Sequence, residues 1–171
     1  MEIANWVNET TAGEMMVEIL VTLSPKDTLS VAADTLLTEQ ISGAPVLDAD
    51  NRCVGVFAIS DLIRAEELVL AEQQQIAESS FFSSGFAWPE RVYAERLEQL
   101  RDKIKPISEQ PIERFMTRDL VSVRANDPLA TVLRDIIDAH VHRVLVLDED
   151  RQVQGIISTI DVLAALQRAS S

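Results

Sequence analysis

Residues Val21–Asp61 lie over Val121–Asp161 without an insertion, so the chain repeats itself at a spacing of one hundred residues. The first copy contains Ala44-Pro45-Val46-Leu47-Asp48 and Val54-Gly55-Val56-Phe57-Ala58-Ile59-Ser60-Asp61. The second contains Val144-Leu145-Val146-Leu147-Asp148 and Gln154-Gly155-Ile156-Ile157-Ser158-Thr159-Ile160-Asp161. Met16/Met116, Leu20/Leu120, Val21/Val121, Asp27/Asp127, Leu29/Leu129, Val46/Val146, Leu47/Leu147, Asp48/Asp148, Asp50/Asp150, Gly55/Gly155, Asp61/Asp161 and Ala65/Ala165 are identical pairs. A repeat this regular decides the architecture before any other feature does. A unit of about fifty residues buries too little surface to be stable alone, so the two copies are expected to pack on each other.

Each copy reads as strand, helix, strand, strand, helix. In the first, Leu20–Leu23 is a short strand and Ser24–Thr28 supplies turn and helix-start chemistry. Leu29, Ala32, Ala33, Leu36 and Leu37 then recur at helical spacing. Ala44–Leu47 is a strand, Asp48-Ala49-Asp50-Asn51 a polar hairpin turn, and Val54–Ile59 a third strand. The near-continuous apolar character of that third strand predicts burial on both faces. Ser60 or Asp61 opens the second helix. The second copy repeats the pattern, with Leu129, Val132, Leu133, Ile136 and Ile137 on the helix face and Asp148–Arg151 as the turn.

Four segments follow. Residues 1–14 form an N-terminal segment, 15–65 the first repeat, 66–111 an insert and 112–171 the second repeat. The insert continues the preceding helix over Glu66–Ala77, loops through Ser79–Trp88, and starts a new helix at Pro89. Tyr93, Leu97, Leu100 and Ile104 fall on one stripe of that helix, which packs on its own module or on another subunit. Pro106 and Pro111 end it. Five of the eight aromatic residues sit between Phe81 and Tyr93.

The charge of −13 excludes a general nucleic-acid or anionic-membrane binder. Any phosphate site must be a local positive spot on a negative body. Cys53, the single cysteine, begins an apolar run and reads as a buried core thiol. No basic-then-apolar leader opens the chain, and no apolar run approaches the ~20 residues of a membrane span, so cytoplasmic residence is expected. No nucleophile–base pair or metal cluster is evident, so an enzyme is not expected. His140-x-His142 lacks a third metal ligand. The acidic turns lack the spacing and terminal Glu of a Ca²⁺ loop.

The repeated pattern, with its Gly in the third strand and Asp at the start of the second helix, resembles the CBS domain over about two-thirds of the chain. The second copy is the nearer match. Its His142-Arg143-Val144-Leu145-Val146-Leu147-Asp148 and Gly155-Ile156-Ile157-Ser158-Thr159-Ile160-Asp161 are similar to the repeats of the AMP-activated protein kinase γ subunit. The resemblance implies a mixed α/β fold in which two repeats pair about a pseudo-twofold axis, leaving two clefts that take adenosyl ligands. It makes Asp161 the ribose acceptor and Ser158 the phosphate-side hydroxyl, with Thr159 helping. His142 and Arg143 become phosphate contacts, and Val121 and Val144 part of the adenine wall.

Physical chemistry agrees with this assignment. A carboxylate can accept from both hydroxyls of a ribose diol, helix N-termini attract phosphate, and an arginine fork matches phosphate oxygens. Ser158-x-x-Asp161 is equally a helix-capping pattern. The first copy keeps the ribose acceptor as Asp61 but has Ala58 for the hydroxyl and Ser42-Gly43 for His142-Arg143, so its cleft is empty, binds a nucleoside-like group at Asp61, or serves only packing, with packing favoured.

The resulting expectation is a stand-alone regulatory module. It binds AMP, ADP or ATP around Asp161, with S-adenosylmethionine a weaker candidate, and signals to an unknown protein partner as a homodimer. The alternative is a structural or dimerisation module without a ligand.

Overall fold

The computed structural model describes residues 3–19, 21–73, 97, 98, 101 and 104–169. The expected loop Ser79–Trp88, the helix start at Pro89, Leu20, Leu100 and all five residues of the aromatic cluster lie outside the described residues. In chain order the elements are α1 (Ile3–Glu9), α2 (Ala12–Met15), α3 (Leu29–Thr38), β1 (Gly43–Leu47), β2 (Cys53–Ala58) and α4 (Ile59–Gln73). After 3-10 turns at Lys105–Ile107 and Ile112–Arg114 come β3 (Ser122–Val123), α5 (Leu129–Asp138), β4 (Arg143–Leu147), β5 (Val153–Ser158) and α6 (Thr159–Ala169).

The chain forms two compact units. One is contiguous, Val21–Arg118. The other is split, combining Met1–Leu20 with Asp119–Ser171. In the contiguous unit β1 pairs antiparallel with β2. In the split unit the strand order is β3-β4-β5, with β3 parallel and β5 antiparallel to β4.

Of the strand expected at Leu20–Leu23, the described residues Val21–Leu23 contribute only an isolated parallel bridge from Leu23 to Val46. The sequence explains the loss. In the second copy the Leu145 N–H donates to the Val121 carbonyl at 3.2 Å. The matching residue in the first copy is Pro45, which has no N–H to donate. The third strands also differ from expectation. In β2, Cys53, Gly55 and Phe57 are buried while Val54, Val56 and Ala58 are only half-buried, and in β5 Gln154 is exposed. The apolar run reflects one buried face and one partly covered face.

Apolar periodicity places the cores. Leu29, Leu36, Val46, Phe57 and Leu62 meet in the contiguous unit, and Leu97 and Ile104 of the insert stripe join them, each 1% exposed. The insert stripe is thus core of its own unit at these two positions. Leu129, Val132, Val144, Val146 and Ile157 form the core of the split unit, closed by Ala12. Cys53 is fully buried, and its thiol donates to the Gly55 carbonyl at 3.4 Å.

Helix starts and stops follow the local sequence. Thr28 caps α3 by accepting from the Val31 N–H at 3.2 Å. Both α3 and α5 end in a left-handed residue, Gln40 (φ 54°) and His140 (φ 54°). The His140 N–H donates to the Ile137 carbonyl at 3.2 Å and the Val141 N–H to Ile136 at 3.1 Å. That pair of bonds is a Schellman ending. Each hairpin turn is tied by its first Asp. Asp48 Oδ1 accepts from the Asp50 and Arg52 N–H groups, both at 2.9 Å, and Asp148 repeats the arrangement.

The split unit follows from an exchange of chain segments. Thr10–Val17 runs into the start of the first repeat in sequence but packs with the body of the second. Val17 and Ile156 exchange two backbone bonds, at 2.9 and 3.0 Å. One hundred residues on, Thr117 and Val56 do the same in the contiguous unit, both at 2.9 Å. The pairs match elsewhere as well. Ala12 N–H donates to the Asp127 carbonyl and Ile112 N–H to Asp27, each at 2.8 Å.

Candidate functional site

In the split unit β5 hands the chain directly to α6, and the junction is fastened by two side chains. The Ser158 N–H donates to Asp161 Oδ2 at 2.8 Å and the Ser158 hydroxyl to the same oxygen at 2.5 Å. The Asp161 N–H returns a bond to Ser158 Oγ at 3.3 Å. This is the reciprocal capping pattern, and it fixes the carboxylate at the helix N-terminus. It uses one carboxylate oxygen. The other, Oδ1, has no hydrogen-bond partner among the described residues.

The neighbouring residues gather at the same end of the sheet. Arg143 opens β4 and stands opposite Ser158 in the strand register. The Thr159 N–H donates to the His142 carbonyl at 3.0 Å. His142 and Arg143 are exposed, while Ser158, Thr159 and Asp161 are half-buried. Backbone pairing therefore brings together five of the residues singled out in sequence. Val121 is half-buried and packs against the core, with its carbonyl accepting from Leu145. Val144 is 1% exposed, and its side chain is spent on the core of the split unit.

The first copy builds the same junction and closes it. The Ala58 N–H donates to Asp61 Oδ2 at 2.8 Å, as Ser158 does to Asp161. Here the second oxygen is occupied. Asp61 Oδ1 accepts from the Arg64 guanidinium and, at 3.2 Å, from the Thr117 hydroxyl. Asp61 is 1% exposed. Burial holds its carboxyl above the ordinary carboxylate range, opposed by the Ala58 N–H, the Arg64 charge and the Thr117 hydroxyl.

Sequence reasoning missed Arg64 and Thr117. Both are mismatches in the hundred-residue alignment, since the second copy has Ala164 and the first has Val17 at those places. Arg64 lies three residues after Asp61, on the same helix face.

Other candidates resolve into structure. His140 Nδ1 lies 3.2 Å from the Asp138 carbonyl, so the ring serves the helix end. A cavity of about 440 Å³ in the contiguous unit is lined by Ser30, Glu98, Arg101, Ile104, Lys105 and Ser108. It includes none of the residues expected to bind a ligand. Among the described residues no helix is long and apolar enough to cross a membrane.

A family model described as CBS domain matches residues 12–67 and again 112–168. The uncharacterized protein MJ1225 of Methanocaldococcus jannaschii is 21% identical over 88% of this chain and 68% of its own length. Its solved structure, described as that of a putative archaeal homolog of g-AMPK, superposes with a TM-score of 0.67 at 18% identity, covering 96% of this chain and 50% of that one. CBSX2, solved in complex with AMP, superposes with a TM-score of 0.67 at 20% identity, covering 94% of this chain and 98% of that one. The CBS domain pair of protein MJ0100, solved with 5-methylthioadenosine and S-adenosyl-L-methionine, gives a TM-score of 0.60 at 18% identity, covering 95% of this chain and 98% of that one. The chain spans between 19% and 74% of the lengths of the curated relatives it matches.

Proposed function

The chain belongs to the CBS-domain family, and from that premise we propose that it is a regulatory module binding an adenine nucleotide around Asp161 and signalling to a protein partner. The observation that carries the reading is Oδ1 of Asp161, which has no hydrogen-bond partner among the described residues, on a helix that follows Ser158, the residue opposite the exposed Arg143 in the strand register. A ribose diol donates to that oxygen, and the Arg143 fork meets a phosphate. Ser158 holds the carboxylate in place, and the N-terminus of α6 favours negative charge nearby. The AMP bound by CBSX2 and the adenosyl ligands bound by MJ0100 support a ligand containing adenosine. A cationic Arg143 favours AMP, ADP or ATP over S-adenosylmethionine, whose sulfonium it would repel. The ligand acts on the partner only through unequal affinity for two conformations.

The test is calorimetric titration with AMP, ATP and S-adenosylmethionine, on wild type and on Asp161→Asn. Asn keeps a capping oxygen while losing the charge. Binding of a nucleotide by wild type, weakened ~10-fold or more in Asp161→Asn, is the expected result. No heat with any adenosyl ligand sinks the reading.

One observation favours a purely structural role. Ile160 and Leu163, one turn apart on α6, are 69% and 59% exposed. A second copy of the chain packing on them would make a homodimer independent of ligand. Light scattering on wild type and Leu163→Glu decides this. A monomer in both removes the dimer.

A further inference from the structure

We infer that Arg64 is an internal stopper of the first repeat, and that it limits the module to one adenosyl ligand per chain. This rests on the proposed binding at Asp161 and extends it to stoichiometry. The two helix-opening carboxylates begin alike, each accepting a backbone N–H at 2.8 Å through Oδ2. They part at Oδ1. In Asp161 that oxygen has no partner among the described residues. In Asp61 it carries the Arg64 guanidinium and the Thr117 hydroxyl.

A ribose hydroxyl arriving at Asp61 would have to displace a charge-assisted bond from an arginine tethered one helical turn away. Hydrogen bonds to charged groups are worth about 1.5–3 kcal/mol, a ~10- to 150-fold disadvantage for the incoming hydroxyl. The Arg64 side chain is 56% exposed, so it reaches the buried carboxylate from the solvent side, as a ligand would. Ala164 takes its place in the second copy and donates nothing. Beside Asp61, Ala58, Ser42 and Gly43 also offer no cation to a phosphate.

The stopper is thus transplantable. Calorimetry with AMP and with adenosine on wild type, Arg64→Ala and Ala164→Arg tests it, with circular dichroism verifying that each variant is folded. Wild type takes one AMP per chain. Arg64→Ala gains a second site that accepts adenosine and discriminates little in favour of AMP. Ala164→Arg, at a half-buried position on the surface of α6, loses ~10-fold or more of the AMP affinity. Two AMP sites in wild type, or unchanged AMP affinity in Ala164→Arg, overturn the inference while leaving nucleotide binding intact. If wild type binds no adenosyl ligand but Arg64→Ala binds adenosine, the stopper stands and the reading of Asp161 falls. If neither binds, both fall.

Discussion

The carbonyl oxygen of Val17 lies 2.8 Å from the point a β-carbon on Gly155 would occupy. Met16 crowds the same point, with its Cβ and Cγ each at 2.9 Å. In the contiguous unit Gly55 meets the Thr117 carbonyl and the Met116 sulfur, both at 2.9 Å. The glycines are therefore fixed by the exchanged segments that cross them. Gly155→Ala should cost about 2 kcal/mol, and Gly55→Ala somewhat less because a thioether gives way more readily than a methylene held at Cβ. Urea denaturation of the two variants measures this. Wild-type stability in both would remove the close approach.

The left-handed residues ending α3 and α5 invite the opposite change. A non-glycine residue in this conformation costs roughly 1–2 kcal/mol, partly recovered through the lower entropy of its unfolded chain. Gln40→Gly should stabilise by about 0.5 kcal/mol. His140→Gly should gain less, since it also loses the ring contact to the Asp138 carbonyl. Thermal melts of both variants report the sign.

Asp61 makes stability depend on pH in an unusual direction for a carboxylate. Its folded pKa is raised above the ordinary 3.8. The native state therefore holds the proton more tightly than the unfolded chain. The stabilising contribution is complete below the ordinary value and is lost as pH rises through the raised one. The stability difference, wild type minus Asp61→Asn, should fall across that window. Denaturation at several pH values follows it, and a difference that rises with pH would contradict the burial argument.

Arg143 should separate nucleotide from nucleoside. If it meets a phosphate, Arg143→Ala weakens AMP binding ~10-fold or more and leaves adenosine nearly unchanged. The AMP affinity of wild type should also fall with added salt more steeply than that of the variant. Equal losses for both ligands would place Arg143 against the ribose or the base.

Much of the fold was legible because the repeat is so regular. The strand order, the hairpin turns tied by Asp48 and Asp148, and the helix faces built on Leu29 and Leu129 all follow from local pattern. The loss of the first strand is also legible, since Pro45 removes the one N–H that would pair with Val21. The exchange of segments was not, because chain order carries no record of which body a segment joins. Its trace was present in the identity of Met16 with Met116 and of Gly55 with Gly155, four residues that meet only across the exchange. The closure of Asp61 was half legible. Arg64 is within reach along one helix, whereas Thr117 arrives through tertiary packing that spacing does not reveal.

The division into one continuous and one split unit has a consequence for synthesis. Val21–Arg118 is a single stretch and can close as soon as it leaves the ribosome. Thr10–Val17 emerges before it, yet its partner Ile156 is made only after the whole of that stretch. The first segment must therefore wait, unpaired, while all of the contiguous unit is made.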